Sequence, residues 1–186
     1  PSGITGARCC CASASTSCSS GKTITVAMVG NPNAGKTSLF NRLTGLRGRT
    51  ANFAGTTVEH RLGAFRLADR SVVLVDLPGL YTLEASTPDE RVACDALRGA
   101  LKGQPAPDAL LLVLDATNLV RNLFLAAEAL QLGIPAVVAV SMCDLAEQQG
   151  LEIDAAGLSA RLGCPVALVS AKKRTGIEAL RGELAT

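Results

Sequence analysis

Gly30-Asn31-Pro32-Asn33-Ala34-Gly35-Lys36-Thr37 decides how this chain is read: it fits G-x-x-x-x-G-K-[ST] and joins an apolar run to a helical one. The run before it, Ile24–Val29, reads as a buried strand, and Lys36–Leu43 after it reads as a helix. Gly30 and Gly35 let the backbone curl so that successive N–H groups point at one phosphate, and the helix beginning near Lys36 adds its positive dipole end. Lys36 is a point charge for β and γ phosphates, and the Thr37 hydroxyl is a ligand for magnesium. Asn31, Pro32, Asn33, Ala34, Gly35 and Ser38 complete the binding surface of such a loop.

Outward from this loop, apolar runs alternate with helical patterns. Strands are expected at Val58–Leu67, Val72–Val75, Leu110–Leu114, Ala136–Val140 and Val166–Val169. Helices are expected around Asp89–Leu101, Leu119–Leu132 and Asp154–Arg161, with a closing one from Ile177. The result is a three-layer α/β fold: a mostly parallel six-stranded sheet with one antiparallel edge strand, and helices on both faces. The edge comes from the alternating segment Glu59–Arg70, which pairs with Val72–Val75 through the tight link Ala68–Asp69–Arg70. Gly99–Asp108 is a surface loop.

Composition agrees and excludes other classes. The 186 residues suit one domain, over 23–186, after a Cys/Ser-rich extension over 1–22 that is too poor in aliphatic residues to fold. With no Trp, one Tyr and four Phe there is no aromatic platform for single-stranded nucleic acid. A net charge of +2 leaves no broad basic face for nucleic acid or anionic lipid, so phosphate recognition must be local. The longest apolar stretches, Ala109–Leu114 and Ile134–Val140, fall far short of the ~20 residues a membrane span needs, so a soluble fragment is expected. Of seven cysteines, Cys94, Cys143 and Cys164 stand singly and read as reduced thiols. Cys9, Cys10, Cys11 and Cys18 suggest a competing metal-binding or redox module, although a Cys-Cys-Cys run lacks the paired spacing of structural zinc.

Further chemistry gathers where strands end, at the carboxyl rim of an open sheet. Asp76-Leu77-Pro78-Gly79 places a carboxylate that can hold magnesium through water and a Gly79 N–H that can meet a γ-phosphate. Between the two motifs, Arg47–Thr57 is polar and aperiodic, as a mobile loop that orders around γ-phosphate would be. Gly55, Thr56 and Thr57 belong to it, and either threonine can supply a hydroxyl ligand. Ser141-Met142-Cys143-Asp144 and Ser170-Ala171-Lys172 each follow a strand. A carboxylate there accepts from the ring N–H and exocyclic amine of guanine, a pair adenine lacks, which makes Asp144 the candidate base reader.

These motifs resemble the small GTPase superfamily, and within it the cytosolic G domain of the FeoB family of bacterial ferrous-iron transporters. The family wording runs through Gly30–Asn41, Leu43-Thr44-Gly45, Asn52–Glu59 and Asp76-Leu77-Pro78-Gly79-Leu80-Tyr81, with Met142 and Asp144 in the fourth motif. The resemblance covers Thr23 to about Leu184 and implies a P-loop GTPase fold that binds GTP or GDP with magnesium and hydrolyses GTP slowly. It implies catalytic parts for Lys36, Thr57, Gly79 and Asn33, magnesium at Thr37, Thr57 and Asp76, and potassium at Asn33 and Asn52. It also implies a nucleotide-dependent switch regulating iron entry at the inner face of the cytoplasmic membrane. The family continues into helical regulatory and membrane domains, which are the expected partners alongside guanine nucleotide, with weak self-association admitted and nucleic acid excluded.

Two departures matter. Ser141 stands where the fourth motif normally opens with Asn, which predicts weaker nucleotide binding and relaxed discrimination against ATP. Leu80 stands where many GTPases carry a water-orienting Gln, so hydrolysis must rely on backbone groups and metal ions. Arg47 and Arg49 are candidates for an internal arginine finger, although exposed loop arginines are usually solvated. His60, the only histidine, reads as a strand residue without catalytic duty. The alternatives are a nucleotidase of relaxed base specificity and a ribosome- or tRNA-linked GTPase.

Overall fold

A computed structural model of the chain describes residues 23–46, 48–53, 56, 58–67, 70–85, 87–101 and 105–185. Among them the strands are β1 (Thr23–Gly30), β2 (Arg49–Asn52), β3 (Glu59–Leu67), β4 (Arg70–Asp76), β5 (Ala109–Asp115), β6 (Ala136–Ser141) and β7 (Val166–Leu168). The helices are α1 (Lys36–Thr44), α2 (Pro88–Leu97), α3 (Leu119–Leu130), α4 (Cys143–Gln148), α5 (Ala155–Leu162) and α6 (Ile177–Glu183). The sheet runs β2-β3-β4-β1-β5-β6-β7. β1, β4, β5, β6 and β7 are mutually parallel, and β3 is antiparallel to both β2 and β4.

The central strands form because their residues suit burial on both faces. Leu110 through Leu114 of β5 are each at most 1% exposed, and each such side chain gains about 1.5–3 kcal/mol from leaving water. One layer of core lies beneath α1 and α6, around Phe40, Leu43, Leu74 and Leu180. The other lies beneath α2 and α3, around Leu80, Leu97, Leu112 and Leu125. Helix starts are set locally: Thr87 and Glu90 form a reciprocal capping box with Pro88 at the first turn, and Asp154 caps Gly157.

One expectation about the sheet is corrected. It has seven strands among the described residues, because Arg49–Asn52, which the sequence reading placed in a mobile loop, pairs with β3 in the register Arg49↔Leu62 to Asn52↔Glu59. The β3–β4 hairpin is therefore not the sheet edge. β2 escaped notice because its residues, Arg-Thr-Ala-Asn, carry no apolar alternation and are mostly exposed; its hydrogen bonds come from the free edge of β3. The extension over 1–22, with its four cysteines, lies outside the described residues, as do Arg47, Gly55 and Thr57. Cys94, Cys143 and Cys164 are free thiols, raised in pKa chiefly by burial.

Candidate guanine nucleotide site

β1 delivers the chain to the phosphate loop, and two left-handed residues turn it into α1: Asn33 at φ 65 and Gly35 at φ 84. The second suits glycine, which reaches that region without steric cost and brings no side chain to cap the first-turn amides of α1. Lys36 Nζ donates to the carbonyls of Gly30 and Asn31, at 2.9 and 3.0 Å, so the ammonium sits across the loop. Burial pulls its pKa down and Asp76 opposes that. Burial pushes the Asp76 carboxyl up, with Lys36 and Arg61 pulling it back.

The Asp76-Leu77-Pro78-Gly79-Leu80 segment runs beside this loop. Leu77 N–H donates to Met28 O and Leu80 N–H to Gly30 O, both at 3.2 Å. Gly79 packs so tightly that a Cβ there would lie 2.9 Å from the Pro32 nitrogen. Leu80 is fully buried and presents no polar group to water. A cavity of about 320 Å³ brings Lys36, Thr37, Asp76 and Gly79 together with His60. Thr37 is exposed, and Asp76 Oδ1 is buried without a hydrogen-bond partner among the described residues. Two oxygen donors, one of them an unsatisfied carboxylate oxygen, fit a hard divalent ion such as magnesium.

Behind α1 lies a larger cavity of about 550 Å³, walled by Gly35, Ser38, Met142, Asp144, Ala171 and Lys172. Met142, at φ 59, turns the chain sharply after β6, so that Asp144 enters the first turn of α4 and is 6% exposed. The Ser170 hydroxyl donates to Asp144 Oδ1 at 2.6 Å and accepts from the Lys173 N–H at 3.1 Å. That hydroxyl, above all, holds the Asp144 carboxyl below its usual range, with help from Lys173 and Lys172. Arg42 Nε donates to Ala171 O at 2.9 Å and ties α1 to the same wall. Asn41, at the end of the Gly30–Asn41 stretch, also lines this cavity, as does Leu46, which the motifs did not reveal.

Ser141 is 5% exposed and its hydroxyl lies 2.5 Å from Ala34 O and 3.0 Å from Leu114 O. It braces the phosphate loop against the ends of β5 and β6. Asn31 is buried and its Oδ1 has no partner among the described residues. Asn33 is exposed and lines a cavity of about 200 Å³ with Tyr81, Asp115, Asn118 and Arg121. Asn52 is exposed on β2 and is not among the residues lining these cavities. No group of three or more His, Cys, Asp or Glu able to hold a metal occurs among the described residues. Of the first loop's threonines, Thr56 is engaged locally: its hydroxyl donates to Phe53 O and accepts from Val58 N–H. Arg49 is exposed on β2, and no hydrogen bond ties it to the phosphate loop.

A phosphate loop at the switch of a parallel sheet, with a paired carboxylate on the far side of one cavity, defines the class of P-loop guanine-nucleotide-binding domains. The chain belongs to the ferrous iron transport protein B family, whose N-terminal domain model matches residues 24–184. The Fe(2+) transporter FeoB of Escherichia coli K12 is 48% identical over 164 residues, which are 86% of this chain and 21% of that protein. The chain thus spans about a fifth of the curated relatives it matches. The cytosolic domain of the T. maritima FeoB iron transporter in a GDP form superposes with a TM-score of 0.81 at 39% identity, covering 88% of this chain and 62% of that one. The FeoB G-domain of Methanococcus jannaschii gives 0.74 at 36% identity, covering 88% and 96%. No helix among the described residues is long and apolar enough to cross a membrane.

Proposed function

We propose that residues 23–186 form a G domain that binds GTP, hydrolyses it slowly to GDP and phosphate, and signals the difference through the segments around Thr57 and Gly79. The carrying observation is that one 550 Å³ cavity takes in Gly35 of the phosphate loop and the Ser170-held carboxylate of Asp144, so a phosphate cradle and a base reader line the same space. Two relatives support it: the T. maritima cytosolic domain is known in a GMPPNP form, and an S. thermophilus NFeoB variant in a GDP form.

Each residue then has a task. Asp144 accepts the two guanine N–H donors on its two carboxylate oxygens, Oδ1 having a further lone pair beside the one that Ser170 uses. Lys36 trades its carbonyl partners for β- and γ-phosphate oxygens and steadies charge that builds toward the leaving group. Thr37, Thr57 and Asp76 would hold magnesium, which when bound neutralises phosphate charge. Gly79 brings its backbone against Pro32, where a γ-phosphate would end, so that departure of that group frees the segment. Asn33 remains the candidate potassium contact in the phosphate loop, and no step is derived through that ion. In the whole transporter, this cycle regulates ferrous-iron entry from the cytoplasmic side, with the helical and membrane parts as the partners.

Ser141 shapes specificity. Its hydroxyl is used on Ala34 and Leu114, so base discrimination rests on Asp144, and adenine is rejected less strongly than guanine is bound. Lys36→Ala tests the reading: GDP and GTP affinity should fall at least 100-fold by calorimetry with the melting temperature little changed. Retained affinity would refute the phosphate-loop assignment.

A further inference from the structure

The first switch segment is pinned by a contact that no motif announces. Phe53, just after β2, is 1% exposed, and its ring stacks on His60 of β3 with centroids 4.0 Å apart and planes at 26°. The chain leaves the sheet at Phe53 and returns at Val58, where Phe53 N–H donates to Val58 O at 3.1 Å. Thr56 closes the turn through its two hydroxyl bonds. His60 is 6% exposed, and its Nδ1 is buried with no hydrogen-bond partner among the described residues. A buried nitrogen left unpaired costs free energy, so the imidazole earns its place through its faces rather than its polarity. Burial also lowers its pKa, which favours the neutral ring. His60 lines the phosphate-side cavity, not the guanine-side one.

We propose that His60 is a positioning residue: its ring is the plate on which Phe53 rests, and the stack anchors the two ends of the first switch segment, Phe53 and Val58, beside the cavity that His60 shares with Lys36, Thr37 and Gly79. This rests on the G-domain reading above. The anchor acts on the triphosphate state, because His60 lines the cavity that holds Thr37, Asp76 and Gly79, while Asp144 and its partner Ser170 belong to the guanine-side cavity, which His60 does not line. An aromatic stack of this kind supports an effect of about 3- to 10-fold.

The test uses His60→Leu, which fills the space without a flat ring, and His60→Phe, which keeps the plate and removes the unpaired nitrogen. GTP turnover and the affinities for GMPPNP and GDP are measured with magnesium, alongside thermal melting. His60→Leu should lower kcat and the GMPPNP-over-GDP affinity ratio by about 3- to 10-fold, with GDP affinity within about twofold of the parent. His60→Phe should restore both. Three results would overturn the proposal: an unchanged kcat and ratio in His60→Leu, equal weakening of GDP and GMPPNP, or His60→Phe behaving like His60→Leu. Absence of GDP binding in the parent chain would instead overturn the G-domain reading beneath it.

Discussion

Ser170→Ala separates a base reader from a mere helix cap. The substitution removes one buried hydroxyl that donates 2.6 Å to the Asp144 carboxylate, while the Lys173 N–H it also serves lies on an exposed residue and can turn to water. A hydrogen bond to a buried charge contributes about 1.5–3 kcal/mol. At about 2–4 °C per kcal/mol for a chain this long, melting should fall by roughly 3–12 °C at pH 7. The pH dependence follows from the direction of the Asp144 shift. Its carboxyl is held below the ordinary 3.8, so the folded state gains stability that is complete above that value and fades as pH drops through the lowered one. The deficit of Ser170→Ala should therefore be full at neutral pH and shrink below about pH 4. GDP affinity should fall about tenfold, roughly 1.4 kcal/mol, because the carboxylate must be reoriented to meet the base. Calorimetric titration with GDP and melting from pH 3 to 7 check both. A full loss of stability with unchanged GDP affinity would refute Asp144 as the base reader.

Other predictions follow from the same geometry. Gly79→Ala puts a Cβ 2.9 Å from Pro32, so it should reduce the GMPPNP-over-GDP affinity ratio by about tenfold while GDP binding holds; an unchanged ratio would count against Gly79 as a γ-phosphate contact. Ser141→Ala leaves two buried carbonyls without the hydroxyl and should cost about 1–3 kcal/mol in a denaturant midpoint assay, with GDP affinity falling alongside. Lys36→Ala, described above, should lose nucleotide with little change in melting.

Much of this molecule was legible because its signals are local. The strand, glycines, lysine and helix of the phosphate loop all lie between Thr23 and Thr44, and β5 and β6 announce themselves as continuous apolar runs. What stayed hidden depends on distant chain. β2 is a polar tetrapeptide whose pairing exists only once β3 offers an edge. α4, six residues long, has too few turns to show a period, and it starts from the left-handed Met142. Asp144 stood out by its spacing, but Ser170, 26 residues later, carries the bond that sets its acidity. Ser141 read as a weakened base contact, and only the fold shows its hydroxyl bracing Ala34. His60 read as an ordinary strand residue; its stack on Phe53 required the hairpin that joins β2 to β3.

The most direct test of the account is phosphate release from GTP and from ATP by residues 23–186, each with magnesium, in potassium and then in sodium. The account predicts slow GTP turnover that is faster in potassium and exceeds ATP turnover, and that Lys36→Ala abolishes. Equal turnover of the two nucleotides, or none of either with GDP left unbound, would contradict it.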